Sequence, residues 1–360
     1  MKRFIFLVVA VALATVSCSK TYDTNLNAAK TGAIGFGTWS DVLTKSPMTG
    51  FAANDEFDVF GYKWKGSFNA PTDSAFVFKD DDVKFDGTKW SYSPLRFWDV
   101  NYDGYTFFAV YPKDQLIHNA AYSGNGLFAT DEISFDGATE PLLIAQRKTV
   151  AKGGAPYFNN YAAVPLVFKH MSALVDLKIR KAEAIKDAVL EVTGVSLNDI
   201  QTAGKFTVAA YSGDNNPVGS AGAGGWVLAD TPAPADFDNT DGSGVATLPT
   251  LAANAGYSKA EAEDLIKELV VMPQIFTVGG QTLTIEYTLT SGDETEHSVT
   301  IDLRDFDEVE NAVNTDTTIP SWLPGVHYTY YLIIDANAIS FTASIANWDV
   351  EKEGYYYLLN

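Results

Sequence analysis

Leu283, Ile285, Tyr287 and Leu289 alternate with Thr284, Glu286 and Thr288. That period of two puts every apolar side chain of the segment on one face of an extended strand and every polar one on the other. Val175, Leu177 and Ile179 alternate in the same way with Asp176, Lys178 and Arg180. The segments 57–62, 105–111 and 328–334 are largely apolar on both faces, as strands in the middle of a sandwich are. Asp86-Gly87 and Ser291-Gly292-Asp293 lie between strand patterns and read as hairpin turns. One segment departs from this. Ser258-Lys259-Ala260-Glu261 forms a capping-box pattern, and Ala262, Leu265, Ile266 and Leu269 follow at helical spacing until Pro273. The chain is therefore expected to be all-β, a β-sandwich in each half with one short helix in the second.

Two domains are the default for 360 residues. With 46% hydrophobic residues there is enough apolar material for two cores, which excludes wholesale disorder. The 18 Tyr, 22 Phe and 7 Trp against 4 Met favour sheet over helix bundle. A Gly/Asn/Ala stretch at 150–164 fits a join, and residues 211–256, rich in Gly, Ala, Asp, Asn and Pro, read mostly as loop. Twenty-five basic against 45 acidic residues argue against a nucleic-acid partner, which needs a dense Lys/Arg surface. A single Cys rules out an intramolecular disulfide framework and a cysteine-based zinc site.

The N-terminus bears on the compartment. Lys2 and Arg3 precede an apolar run at 4–16, too short for a stable transmembrane helix and typical of an export signal. The run ends in Ala14-Thr15-Val16-Ser17-Cys18, which resembles a bacterial lipobox. That resemblance implies cleavage before Cys18 and lipid on its sulfur and new amine. The alternative is an ordinary secretory signal with an incidental Cys. Residues 18–31 are polar, as a tether would be.

Motifs that carry chemistry are missing. His118, His170, His297 and His327 stand singly, with no HExxH and no i, i+4 partner for a helical metal site. His170 reads as a packed or edge residue of a strand. There is no Gly-x-Ser-x-Gly elbow and no P-loop. Asp236, Asp238 and Asp241-Gly242 suggest a calcium loop but miss its spacing, with Thr240 at the fifth position and Thr247 in place of the bidentate Glu. Asp80-Asp81-Asp82 reads as a solvated turn. No catalytic residue, metal or cofactor is expected, and the chain is read as a non-enzyme.

Lys89-Trp90-Ser91-Tyr92-Ser93-Pro94-Leu95-Arg96-Phe97-Trp98, with Tyr105-Thr106-Phe107-Phe108-Ala109-Val110-Tyr111-Pro112, resembles the fimbrillin (major-fimbria-like) family of type V pili. Leu166-Val167-Phe168-Lys169-His170-Met171-Ser172-Ala173-Leu174, Val271-Met272-Pro273-Gln274 and Trp322-Leu323-Pro324-Gly325-Val326-His327-Tyr328-Thr329-Tyr330 follow in the family's order, as does Ile339-Ser340-Phe341-Thr342-Ala343-Ser344-Ile345-Ala346-Asn347-Trp348. The resemblance implies two transthyretin-like β-sandwich domains, export as an outer-membrane lipoprotein and assembly into an extracellular pilus. The expected division is a signal peptide at 1–17, a tether at 18–31, an N-terminal sandwich at 32–163 and a C-terminal sandwich at 164–360. Read by themselves, Trp90, Phe97, Trp98, Phe107, Phe108 and Tyr111 are core and sheet-packing residues rather than a ligand box.

The resemblance also implies a precursor held inactive by its first strand, which a trypsin-like surface protease removes. Residues 33–39, with Ile34, Phe36 and Trp39, are the candidate strand, weakened by Gly32, Gly35 and Gly37. Lys45, followed by Ser46 and then Pro47, is the candidate cleavage position and the only basic residue between Lys30 and Lys63. A strand from the next subunit would then complete the sheet. The candidate donor carries Ile339, Phe341, Ala343 and Ile345, and Tyr355-Tyr356-Tyr357-Leu358-Leu359 continues apolar beyond it. Its partners would be other pilin subunits, the protease, host or bacterial surface ligands, and the membrane through the lipid anchor. The competing readings are a pilus-tip subunit, or a non-polymerising surface lipoprotein that binds glycan or host protein through residues 211–256.

Overall fold

The computed structural model describes residues 33–40, 51–68, 70–113, 128–135, 141–151, 163–208, 226–228, 234–238, 248–308, 320–336 and 339–347. Their regular structure is strand, apart from three 3-10 turns at Glu183–Ile185, Lys259–Glu261 and Leu303–Asp305. The strands of the first half are β1 (Phe36–Ser40), β2 (Glu56–Ser67), β3 (Ala70–Phe85), β4 (Trp90–Ser91), β5 (Gly104–Tyr111), β6 (Phe128–Ser134), β7 (Leu143–Ala151) and β8 (Val164–His170). Then come β9 (Ala173–Lys181), β10 (Val189–Gln201), β11 (Ala203–Val208), β12 (Trp226–Leu228), β13 (Pro234–Asp238), β14 (Thr250–Leu251), β15 (Glu263–Val271) and β16 (Gln274–Ile275). The last six are β17 (Thr282–Ser291), β18 (Asp293–Asp302), β19 (Asp307–Glu308), β20 (Ser321–Trp322), β21 (Val326–Ile334) and β22 (Ile339–Asn347).

A seven-stranded sheet runs β1-β8-β7-β5-β2-β3-β4. β5, apolar on both faces, is buried at all eight positions and lies between β2 and β7. Two five-stranded sheets, β13-β10-β17-β18 with β14 on β10 and β15-β9-β21-β22-β19, make the second half. Their inner faces supply one core, in which Val175, Leu177 and Ile179 meet Leu283, Ile285 and Tyr287. These are the alternating residues that the sequence singles out. The Asp86 and Gly292 turns close β3–β4 and β17–β18, with Gly87 and Gly292 at φ +92° and +95°.

The expected helix is a strand. The capping box forms, with Glu261 Oε2 accepting from the Ser258 amide at 3.2 Å and its hydroxyl at 3.0 Å. It closes only the Lys259–Glu261 turn. β15 then pairs antiparallel with β9, and its register shifts twice, between Asp264 and Ile266 and between Ile266 and Leu269. Each bulge adds a residue, so Leu265, Ile266 and Leu269 all turn inward. Two bulges in a strand thus imitate the spacing of a helix. Within residues 211–256, β12, β13 and β14 replace part of the expected loop.

Pairing carries the first sheet past the expected join at 163, because Val164–His170 lies between β1 and β7. The second half's sheets start at Ala173. A third apolar cluster ties the halves together: Phe60, Tyr62, Phe108 and Val110 pack with Leu174, Val270 and Met272. It is covered by the sheet β12-β11-β6, which mixes strands of both halves. Trp226 donates its ring N–H to the Met171 carbonyl at 2.6 Å, fixing that cover at the junction.

Candidate functional site

β1 is the edge strand of the seven-stranded sheet and runs parallel to β8, from Phe36 opposite Val164 to Ser40 opposite Phe168. Upstream the chain changes partner. Ala33 forms an antiparallel bridge with Phe97, and the Ile34 amide donates to the Arg96 carbonyl at 2.8 Å. The Val164 amide donates to the Gly35 carbonyl at 2.8 Å. The segment thus crosses from the loop after β4 to β8, joining the two ends of a sheet that curls over its own core.

Ala33, Ile34, Gly35 and Phe36 are all buried. Ile34 and Phe36 enter the core, while Ala33 lies outside that cluster. Phe36 sits among Phe57, Phe78, Phe107 and Tyr92, at ring centroid distances of 6.4, 5.2, 5.7 and 5.8 Å, mostly edge-on. Edge-to-face packing of this kind adds to the burial of the ring itself. A small–large–small–large strand therefore plugs a groove whose floor is aromatic.

One lip of the groove is the 92–97 loop. The Tyr92 hydroxyl donates to the Ile34 carbonyl at 2.5 Å and receives the Arg96 amide at 3.3 Å. Burial pushes the Tyr92 phenol up to about 12, against a smaller opposing effect of the Arg96 backbone. Arg96 pins the lip to β3: its Nε donates to the Val77 carbonyl at 3.1 Å and its guanidinium pairs with Asp81 at 3.1 Å. These two Arg96 contacts are made to β3 and not to the first strand.

Of the residues expected from sequence, Ile34 and Phe36 come together in this groove, and Trp39 lies in β1 opposite Val167. Cys18, Lys45 and Ser46 lie outside the described residues. Ile339, Phe341, Ala343 and Ile345 lie in β22, antiparallel to β21 from Ile334–Ile339 to Val326–Asn347. On its other side, among the described residues, β22 pairs with β19 at Thr342 and Ala343. Trp90, Phe107, Phe108 and Tyr111 are core residues as expected, but Phe97 is 54% exposed. Its backbone bridges to Ala33, which turns its side chain out of the core. His170 is buried in β8. No group of His, Cys, Asp and Glu with metal-binding geometry occurs among the described residues. Tyr92 and Arg96 were missed as site residues; no periodicity marks a hydroxyl aimed at a carbonyl 58 positions away.

A family model described as fimbrillin-like matches residues 44–348. The fimbrium subunit Fim1C of Phocaeicola vulgatus is 24% identical over 234 residues, which are 58% of this chain. The chain spans 60% of that relative's length. Among solved structures, a fimbrial protein from Bacteroides vulgatus ATCC 8482 superposes with a TM-score of 0.50 at 16% identity, covering 88% of this chain and 99% of the other. At that identity the likeness is one of fold.

Proposed function

The chain belongs to the fimbrillin-like family, and from that premise we propose that it is a subunit of a cell-surface pilus whose assembly is gated by its first strand. Family membership makes its role structural rather than catalytic. In this reading the precursor is an outer-membrane lipoprotein, with a signal at 1–17, lipid on Cys18 and a tether at 18–31. Its body is two transthyretin-like sandwiches that meet near residues 164–172. A trypsin-like surface protease cuts after Lys45, leaves Ser46 as the new N-terminus and releases residues 33–40.

The observation that carries the reading is the edge segment itself: among the described residues β1 pairs with β8 alone, and Ile34, just before it, and Phe36, at its start, are fully buried. Its loss uncovers two large side-chain pockets, each worth about 1.5–3 kcal/mol of apolar burial. A strand from a second subunit recovers that burial by completing the sheet. Repeated head to tail, such a contact does not close, and a filament grows. The C-terminal strand with Ile339, Phe341, Ala343 and Ile345 is the proposed donor, and other pilin subunits are the partners. Host or bacterial surface ligands would be met by the finished fibre.

A second reading is favoured by the seat of β22 in its own sheet. A tip subunit, or a surface lipoprotein that does not polymerise, accepts a strand or none and has no need to release one. Limited trypsin digestion of the 18–360 protein, with N-terminal sequencing and size analysis, separates these. A new N-terminus at Ser46 followed by large species supports the gated subunit. Cleavage that leaves a stable monomer supports the tip, and resistance at Lys45 supports the unpolymerised lipoprotein.

A further inference from the structure

Seven large hydrophobic side chains are exposed among the described residues, and three of them, Leu95, Phe97 and Val100, fall within one stretch of six residues, at 50%, 54% and 41%. Leu95 and Phe97 lie on the lip of the groove. Arg96, between them, turns onto β3, so its two neighbours point the other way, out to solvent. The stretch is firmly held. The Arg96 guanidinium also donates to the Pro94 carbonyl at 3.2 Å, and the Asp99 amide donates to the Tyr105 hydroxyl at 2.5 Å. The Asp99 carboxylate takes Lys63 at 2.8 Å and the Asn101 amide at 3.0 Å. Apolar side chains displayed on a fixed backbone lose little freedom when a partner covers them, which suits them to anchor an interface.

The place of the lip says which partner covers it. The first strand starts there, at the Ala33–Phe97 bridge and the Ile34–Arg96 bond, and runs along β8 to Ser40. A strand that replaces it in the same parallel pairing also starts at the lip. The second sandwich precedes the proposed donor in the chain, so the body of the donating copy stands on the lip side. Four residues separate Ile339 from Ile334, the end of β21, and that step spans at most about 17 Å. The Ile334 carbonyl accepts the Ala182 amide at 2.7 Å, which puts the 183–188 turn at this end of the sandwich, and Lys181 ties that turn to Ala252. Ala184, Ala252 and Ala253 are exposed there, small residues on which large side chains can seat. We propose that Leu95 and Phe97 form a collar that docks this end of the donating copy's second sandwich, a contact between copies separate from the exchanged strand. The inference rests on the strand-exchange reading above. The two surfaces differ, so the contact is heterologous and repeats along a fibre without closing.

The test uses the 18–360 chain with Cys18→Ser, which leaves no other cysteine, in two versions, Phe97→Cys and Ala252→Cys. The two are mixed in equal amounts, cut with trypsin and treated with a short bis-maleimide crosslinker. A crosslink between a Phe97→Cys copy and an Ala252→Cys copy is expected to exceed both self-pairs, and to be absent from the uncut mixture. Leu95→Ser combined with Phe97→Ser, at exposed positions, should leave the thermal midpoint of the uncut chain within about 2 °C. The same pair should slow the growth of large species after cutting at least about tenfold. A mixed crosslink no more abundant than the self-pairs overturns the collar, as does growth at an unchanged rate in the double variant, and strand exchange then stands. If no large species follow the cut in the wild-type chain, the exchange reading falls and this inference with it.

Discussion

The Tyr92 hydroxyl donates to the Ile34 carbonyl at 2.5 Å, and this side chain is the lip's direct grip on the first strand. Tyr92→Phe removes the donor and keeps the ring beside Phe36 and Phe78. We expect a loss of about 1–2 kcal/mol, the cost of a hydrogen bond whose acceptor stays buried. Hydrogen exchange at residues 33–40 should rise more than in the second half of the chain, because the loss is local. Uniform acceleration across both halves would show that Tyr92 acts on the fold at large.

The same contact sets an alkaline limit. Burial pushes Tyr92 and Tyr105 up to about 12, above the ordinary phenol value near 10. Their folded forms hold protons that the unfolded chain gives up first. The stability they contribute is therefore whole below about pH 10 and is lost as pH rises toward 12. Denaturant midpoints from pH 8 to 11.5 should fall in that window, and less steeply in Tyr92→Phe. Equal slopes for the two proteins would mean that Tyr92 titrates normally.

Phe36 is the strand's anchor. Phe36→Ala should cost about 3–5 kcal/mol, as for other buried aromatic residues cut to alanine. Because the strand lies at an edge, the loss should appear as local release of residues 33–40 and faster trypsin cleavage nearby. Cleavage at an unchanged rate would show that the strand is held mainly by its backbone bonds to β8.

Much of this was legible in the chain. The period of two in 175–179 and 283–289 marked faces that do meet in one core. Ile34 and Phe36 stood out as the apolar residues of a glycine-weakened strand, and the structure puts both in the first core. What misled was local irregularity. The bulges of β15 place Leu265, Ile266 and Leu269 on one side, and a one-dimensional pattern cannot distinguish that from a helix turn. What stayed hidden was long-range: Tyr92 on Ile34, Arg96 on Val77, and β8 pairing back to β1 across the expected join. Nothing local in these residues encodes those partners.

Asp176 ties three strands of the second half together. One carboxylate oxygen accepts the Glu268 amide at 2.7 Å, at a bulge where Glu268 has φ +54°, and the other meets His327 Nε2 at 2.8 Å. Burial acts to raise this carboxyl, but the His327 and Glu268 hydrogen bonds, with the nearby charges of His327 and Lys178, hold it below the ordinary value. A lowered carboxyl contributes stability that is present above about pH 4 and is lost as pH falls through its folded value. Asp176→Asn should cost about 1–3 kcal/mol at pH 7 and flatten the acid limb of the stability curve below pH 4. Parallel acid limbs for the two proteins would assign the acid sensitivity to other carboxylates.

Lys181 presents the opposite case, a fully buried ammonium that forms no ion pair among the described residues. Its Nζ donates to the carbonyls of Lys186, Ala188 and Ala252 at 3.0, 2.6 and 2.7 Å, holding the 183–188 turn against the chain before the Ser258 box. Burial lowers its pKa, with Asp187 opposing weakly. The unfolded chain therefore holds this proton to higher pH than the folded one, and the cost of burying the charge shrinks as pH rises toward about 10.4. Lys181→Met keeps the length of the side chain and removes all three donors. We expect a loss of about 1–3 kcal/mol at pH 7, since the Ala188 carbonyl loses its buried donor while the Lys186 and Ala252 carbonyls keep the amides of Asn254 and Ala255. Measured against this variant, the wild type should gain stability between pH 8.5 and 10.5, a comparison in which the tyrosine losses common to both proteins cancel. A gap that stays constant over that range would mean that the amine keeps its ordinary proton affinity in the fold, and that the three carbonyls solvate it as well as water does.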